Sequence, residues 1–338
     1  MRKVLRFLGA SVVAVAAAGS IPSVTNAEPA GTLACAPQNL RYCAAVVGEL
    51  LDTTLAELHP TQPSLGYDEV YYRLGRYTMG KETPSKLFDD WCAANGQKGV
   101  QSAAVGATAS DRNSFTCITP LGSETPATIT PMKTAVVGPG GQLYLTDGHH
   151  TLTSFWEVPG GGPGTHIRLR ITGNLSAVNA NEFWTTMAAN GWTWLKDVDG
   201  NPIAPDRLPE NLGLSRFDND IYRGVLYFLR DIGFEQDDNS PAFQEFYWGQ
   251  WLRAQPDPGV QPANFNLTDL PSYLDLVRNI GSAIVTLPDN AQIAGGLDAE
   301  RLGRLDEFGQ EAFATLSEPY SAAKPGKLAY SLRYKNSR

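Results

Sequence analysis

The chain has 338 residues, 42% hydrophobic and 18% charged, with a formal net charge of −8. That length allows a sizeable core in one large or two modest domains. The acidic balance denies the chain the basic footprint that non-specific nucleic-acid binding needs. From the N-terminus, Arg2, Lys3 and Arg6 precede an apolar stretch from Val12 to Ala18, and Thr25-Asn26-Ala27 ends in a small residue. This predicts a secretory signal peptide over 1–27, cleaved after Ala27, and a secreted or periplasmic protein of charge about −11. The apolar run is too short to span a membrane, and no other run approaches that length. The cysteines Cys35, Cys43, Cys92 and Cys117 are even in number, as an oxidising compartment favours. They admit three connectivities, and the sequential one, closing two short loops, is expected. No C-x-x-C or Cys/His spacing exists to suggest a structural zinc.

Residues 39–58 read as a helix with Leu40, Val47, Leu50, Leu51 and Leu55 as its stripe, stopped by His59-Pro60. After the turn-rich Thr61-Gln62-Pro63-Ser64-Leu65-Gly66, a second helix is predicted over 67–79 with Val70, Leu74 and Tyr77 inward. Asp68 and Glu69 in its first turn complement the helix dipole. A short helix follows at 85–94. The Ser/Thr/Ala/Gly-rich stretch 96–130 reads as loop or weak strands tied by Cys92–Cys117. Strands are predicted at 132–137 and 141–146 around Gly138-Pro139-Gly140-Gly141, a hairpin signal. Next comes Thr146-Asp147-Gly148-His149-His150-Thr151, then Leu152, Phe155 and Trp156 at helical spacing. The glycine-rich loop 159–164 reads as a connector or a mobile cover beside this turn, and 166–172 as a returning strand. From about 176 the pattern turns helical, with candidates at 180–190, 218–231, 241–255, 269–285 and 298–317. Ser240-Pro241 offers an N-cap and N1 pair, and Trp184, Trp192, Trp194, Trp248 and Trp251 read as packing residues. Asp197-Val198-Asp199-Gly200 fails as a calcium loop because Leu195 would occupy the first ligand position. The basic tail, with Lys324, Lys327, Arg333, Lys335 and Arg338, reads as a solvated, frayed terminus.

The Asp-Gly-His-His group carries the chemistry. It stands at a predicted strand-to-helix turn, where first-turn amides are unpaired and attract an anion, phosphate above all. Two imidazoles add donors that titrate near neutrality. A bland alternative makes Asp147 an N-cap and Gly148 a turn residue, but the second histidine adds nothing to capping.

Two segments together resemble the ParB/sulfiredoxin superfamily, and within it the ParB-like nuclease group. Leu58-His59-Pro60-Thr61-Gln62-Pro63-Ser64-Leu65-Gly66 looks like the ParB "N-P-x-Q-P-R" box. Val137 to His150, ending Thr146-Asp147-Gly148-His149-His150, looks like the strand leading into the "G-E-R-R" box of ParB and the "G-G-C-H-R" box of sulfiredoxin. The resemblance covers about 57–172, and the order and spacing of the boxes are its specific part. It implies an α+β fold, a small mixed sheet with helices, whose second box binds phosphates at the start of a helix. By position, His149 falls where sulfiredoxin has its reactive cysteine and ParB its glutamate, His150 falls on the sulfiredoxin histidine, and Thr151 replaces the arginine of both. Sulfiredoxin chemistry is excluded for want of the thiol. ParB-type nucleotide switching loses its arginine, and no helix-turn-helix segment is evident. A free-serine kinase of the superfamily uses an acidic base after the first box, and Glu69 is the matching residue here.

The organisation expected is a signal peptide (1–27), an N-terminal helical segment (28–56), a ParB/sulfiredoxin-like domain (57–175) and an α-helical C-terminal region (176–338). The activity expected is phosphoester hydrolysis, with nucleic acid or nucleotide among the substrates. Gly148, Thr151 and the first-turn amides would hold the phosphate, with Gln62 and Arg73 as further substrate contacts. His149 or His150 would act as general acid or transition-state donor. Asp147 would orient an imidazole or hold a metal, and Glu69 would be the base. A divalent metal on Asp147, His149, His150 and Glu69 is compatible with these residue types, though no spacing demands it. The alternatives are a nucleotide-dependent phosphotransferase of the same fold and a non-catalytic envelope-associated binding module.

Overall fold

The leucines of 39–58 do not build one helix. Only Leu40–Cys43 is helical. Gly48 then turns the chain at φ +90°, a conformation that favours glycine. Leu50–Thr54 follows as strand β1, with Leu51 and Thr53 alternately buried. A period of two within Leu50–Thr54 overrides the helical spacing, and Leu40 and Val47 are left exposed. The structure, a computed structural model, describes residues 35–237 and 239–338, so the expected signal peptide lies outside the described residues.

The sheet is completed by β2 (Leu58–Pro60), β3 (Thr134–Val137), β4 (Leu143–Leu145) and β5 (His166–Asn174), in the order β1-β5-β3-β4-β2. It is mixed. β1 runs antiparallel to β5 and β3 antiparallel to β4, whereas β5 pairs with β3 and β2 with β4 in parallel. The helices against it are α1 (Tyr67–Met79), α2 (Lys86–Ala94) and α3 (His149–Glu157). Val70, Leu74 and Tyr77 of α1 and Leu152 and Phe155 of α3 enter one core with Leu143, Leu145, Ile167 and Leu169. The fold is α+β, as expected. Among the described residues, no helix is long and apolar enough to cross a membrane.

Both disulfides are sequential, Cys35–Cys43 at a Cα separation of 6.4 Å and Cys92–Cys117 at 5.6 Å. The second ties α2 to a hairpin of Val100–Ala103 and Phe115–Cys117. The loop 159–164 sits at the C-terminal end of α3, far from His149. Ser110 anchors it through its amide and hydroxyl on the Gly160 carbonyl, so it is a connector.

Beyond a single helical turn at Pro126–Ile129, the helices that follow among the described residues are α4 (Ala180–Ala189), α5 (Ile221–Tyr227), α6 (Gln244–Arg253), α7 (Leu270–Val285), α8 (Gln310–Leu316) and α9 (Lys327–Lys335). Three differ from expectation. α5 starts late because Asp220 caps it, accepting from the Arg223 amide, while Asp218–Asn219 pairs with Ser64–Leu65. Ser240-Pro241 does not start α6. The Ser240 hydroxyl is bonded to Asp237 instead, and Phe243 precedes the helix in a left-handed conformation. Of 298–317 only α8 is helical, since Leu297–Asp298 pairs as a strand with Gln292–Ala294. The basic tail is not frayed: it forms α9, which buries Leu328, Tyr330 and Leu332. α9 lies so close to α1 that a Cβ on Gly75 would meet the Tyr330 carbonyl at 2.3 Å. Trp248 is fully buried and donates to the Leu302 carbonyl, as a packing tryptophan should.

Candidate functional site

Because β2 and β4 are parallel neighbours, the segments that follow them leave the sheet at the same edge. Thr61, just past β2, donates its hydroxyl to the Leu145 carbonyl at 2.6 Å. Its amide donates to His149 Nε2 at 3.1 Å, and the Gly66 amide donates to His150 Nε2 at 3.1 Å. A backbone N–H can only donate, so both rings accept at Nε2 and each neutral ring carries its proton on Nδ1. Burial pushes His149 down to about 4 against the pull of Asp147. Burial also holds His150 well below its ordinary value, with Glu69 opposing. Both imidazoles are therefore neutral Nδ1–H donors at pH 7.

This has a measurable consequence. The folded His149 binds its proton more weakly than the unfolded residue, so its contribution to stability is complete above pH 6.5 and is lost as pH falls towards 4. Between pH 7 and pH 4.5 that loss is about 2–3 kcal/mol. Urea unfolding at the two pH values should show a shallower fall in His149→Asn by about that amount. Equal falls in both proteins would contradict the neutral, buried ring.

Gly148 precedes α3 as its turn residue, with φ of +101°, and among the described residues no side chain caps the helix. Among the described residues, nothing in the chain accepts from the amides of His149, His150 or Thr151. Asp147 neither caps the helix nor orients an imidazole by hydrogen bond. It is exposed and paired with Lys133 at 3.1 Å.

Glu69 and Asp68 do more than complement a dipole. Asp68 accepts from the Tyr273 hydroxyl at 2.9 Å and pairs with Lys335 of α9 at 3.0 Å. Glu69 is buried between Arg73 at 3.1 Å and Arg223 at 3.0 Å, with His150 Nδ1 at 3.7 Å. Arg223 arrives because α1 and α5 touch through backbone: a Cβ on Gly66 would lie 2.5 Å from the Gly224 nitrogen. Glu245 on α6 pairs with Arg230, whose Nε stands at 2.6 Å, and lies 3.9 Å from Arg223. Burial would raise the Glu69 carboxyl, but the charges beside it, His150 when protonated and the Arg223 and Arg73 guanidiniums throughout, prevail and hold it well below the usual range. Three guanidiniums thus face two carboxylates. Among the described residues, Arg223 finds no partner for its buried Nε and Nη1, nor Arg73 for its buried Nε.

These groups border one cleft of about 550 Å³. It contains all eight residues singled out from sequence: Gln62, Glu69, Arg73, Asp147, Gly148, His149, His150 and Thr151. Gln62 is oriented by its bond to the Ser64 carbonyl at 2.7 Å. Sequence reasoning missed Lys133, Arg223, Arg230, Phe243, Glu245 and Phe246. The signal for two of them was present: a lone arginine in the apolar run Ile221–Tyr227, and a lone glutamate among the aromatics of α6. Among the described residues, no group of three or more His, Cys, Asp or Glu side chains is placed to hold a metal. Asp147, His149, His150 and Glu69 do not converge as ligands, because both Nε2 atoms are taken by amides and Asp147 is taken by Lys133.

Residues 51–254 match the family model described as "Putative ParB-like nuclease". The match spans more than half of the chain, and the chain belongs to this ParB-like nuclease family. It runs through Arg223, Arg230 and Glu245 as well as both sequence boxes. No curated protein matches the sequence. A similar solved structure is the crystal structure of protein Atu1540 from Agrobacterium tumefaciens, with 16% identity and a TM-score of 0.45. The alignment covers 74% of this chain and 98% of that one.

Proposed function

We propose that the cleft binds a phosphoester and hydrolyses it. One observation carries this reading. His149, His150 and Thr151, whose amides find no acceptor among the described residues, and buried Arg223, with its unpartnered donors, line the same cleft. Helix N-termini and guanidinium forks are both suited to phosphate oxygens. In this reading Gly148 lets the chain turn so that the amides of His149, His150 and Thr151 meet the phosphoryl group. Arg223 and Arg73 neutralise its charge, with Gln62 as a further contact, and Lys133, held by Asp147, adds a cation. The Nδ1–H groups of His149 and His150 donate to the phosphoryl oxygens as charge builds on them. Neutral rings whose Nε2 atoms are occupied serve as donors rather than as bases. Glu69 accepts the proton of the attacking water as the water oxygen bonds to phosphorus, and the bond to the leaving group breaks to give an alkoxide that takes its proton from solvent water. The guanidiniums that keep Glu69 ionised also reduce its basicity, so most of the rate gain falls to charge stabilisation.

Titration with inorganic phosphate, followed through the imidazole NMR signals, tests the binding half. The His149 and His150 resonances should both shift. If neither moves, the phosphate reading fails and the two histidines are capping-turn residues only.

We propose export as the setting, supported by the leader-like pattern of 1–27 and by the two disulfides. The intact mass of protein recovered outside the cytoplasm should lack 1–27 and four thiol hydrogens. A mass retaining either would overturn it.

A further inference from the structure

The cleft is also lined by a residue the reaction above does not use. Phe243 borders the cleft and directly precedes α6. Its backbone lies at φ +61°, ψ +27°, in the left-handed region. Bulky residues rarely adopt that conformation, which glycine or asparagine accepts at little cost. Such strain persists where its surroundings enforce it, and it gathers at ligand sites. Here the enforcement is visible. The Phe243 ring is backed by Trp194 at 5.7 Å and Phe246 at 5.9 Å between centroids, and Trp194 and Phe246 pack on each other at 5.1 Å. Phe246 also borders the cleft, with the Arg223 guanidinium 5.9 Å from its ring. One arginine therefore links the phosphate-binding end to an aromatic end. The cleft, about 550 Å³, far exceeds what a phosphate group alone fills.

We propose that Phe243, backed by Trp194 and Phe246, is the platform on which a planar ring of the substrate stacks, so that the site selects phosphoesters carrying an aromatic group. This rests on the phosphoester reading and adds the substrate's second recognition element. Every nucleobase presents such a face, and stacking on an aromatic side chain is tolerant of which base it is.

The test compares two probes that differ only by the ring, adenosine 5′-monophosphate and ribose 5-phosphate, by calorimetric titration. The protein should bind the first about ten-fold or more tightly than the second. Phe243→Asn suits the left-handed backbone and lacks the ring. It should keep its affinity for ribose 5-phosphate and lose the preference. Phe243→Tyr should retain both. Equal affinities in the unaltered protein, or a preference surviving in Phe243→Asn, would overturn the stacking role while leaving the phosphate site standing. Failure of both probes to bind would overturn the stacking role together with the phosphoester reading.

Discussion

Replacing Glu69 with alanine should cost the fold about 3–5 kcal/mol, because it breaks a buried ion cluster by removing one partner. The carboxylate stands 3.1 Å from Arg73 and 3.0 Å from Arg223. Without it, the ion-pair partners left among the described residues are Asp90 for Arg73 and Glu245 for Arg223, each at 3.9 Å. Two guanidiniums with already unpartnered donors would then sit in low dielectric with little compensation. The pH dependence follows from the depressed carboxyl. Its contribution is complete above the ordinary carboxylate value of about 4.5 and is lost as pH falls through the lower folded value. Urea unfolding at neutral pH measures the loss directly. A cost below about 1 kcal/mol would show that water screens the cluster as it does a surface pair.

His150→Ala is the substitution with the largest expected effect on turnover, a fall of about 10²–10⁴-fold. It removes the Nδ1–H donor beside Glu69 and leaves the Gly66 amide without its acceptor. The unsatisfied amide costs about 1–3 kcal/mol, so His150→Gln is the companion variant, whose side-chain carbonyl oxygen reaches the place of Nε2 and can accept from that amide. It should recover stability without recovering the rate. His59 supplies the contrast. It lies in the same first box but bonds to the Glu210 carbonyl, packs at a tilt against Tyr144 and does not line the cleft. His59→Ala should change the rate by less than about ten-fold. Comparable losses from His59→Ala and His150→Ala would mean that the histidines act through the fold alone.

The candidate site was legible in sequence to the extent that its parts are local. The strand, the Asp-Gly-His-His turn and the amphipathic helix after it are contiguous, and Leu145, Leu152 and Phe155 fall where their spacing puts them. The meeting of the two boxes depends on β2 lying parallel to β4, a long-range pairing that no local pattern encodes. Arg223, Arg230 and Glu245 could not be assigned, because their partners depend on a backbone contact between Gly66 and Gly224 that no local pattern encodes. The pairing of Asp147 is hidden from sequence for a related reason: the β3–β4 hairpin is what brings Lys133, its partner, beside it. In α9 the stripe Leu328, Leu332 was present, but its charges dominated the reading until Gly75 supplied a surface to bury it against. In 39–58 the fault ran the other way. An apparent helical stripe concealed a turn at Gly48 and a strand in which only alternate residues are buried.

The most direct measurement is the hydrolysis of phosphodiesters and nucleic acid by the purified protein, with and without added divalent ions, beside His150→Ala. Phosphoester hydrolysis at this cleft predicts release of product by the unaltered protein and a loss of about 10²–10⁴-fold in the variant. No hydrolysis under any condition, or equal rates in the two proteins, would contradict it.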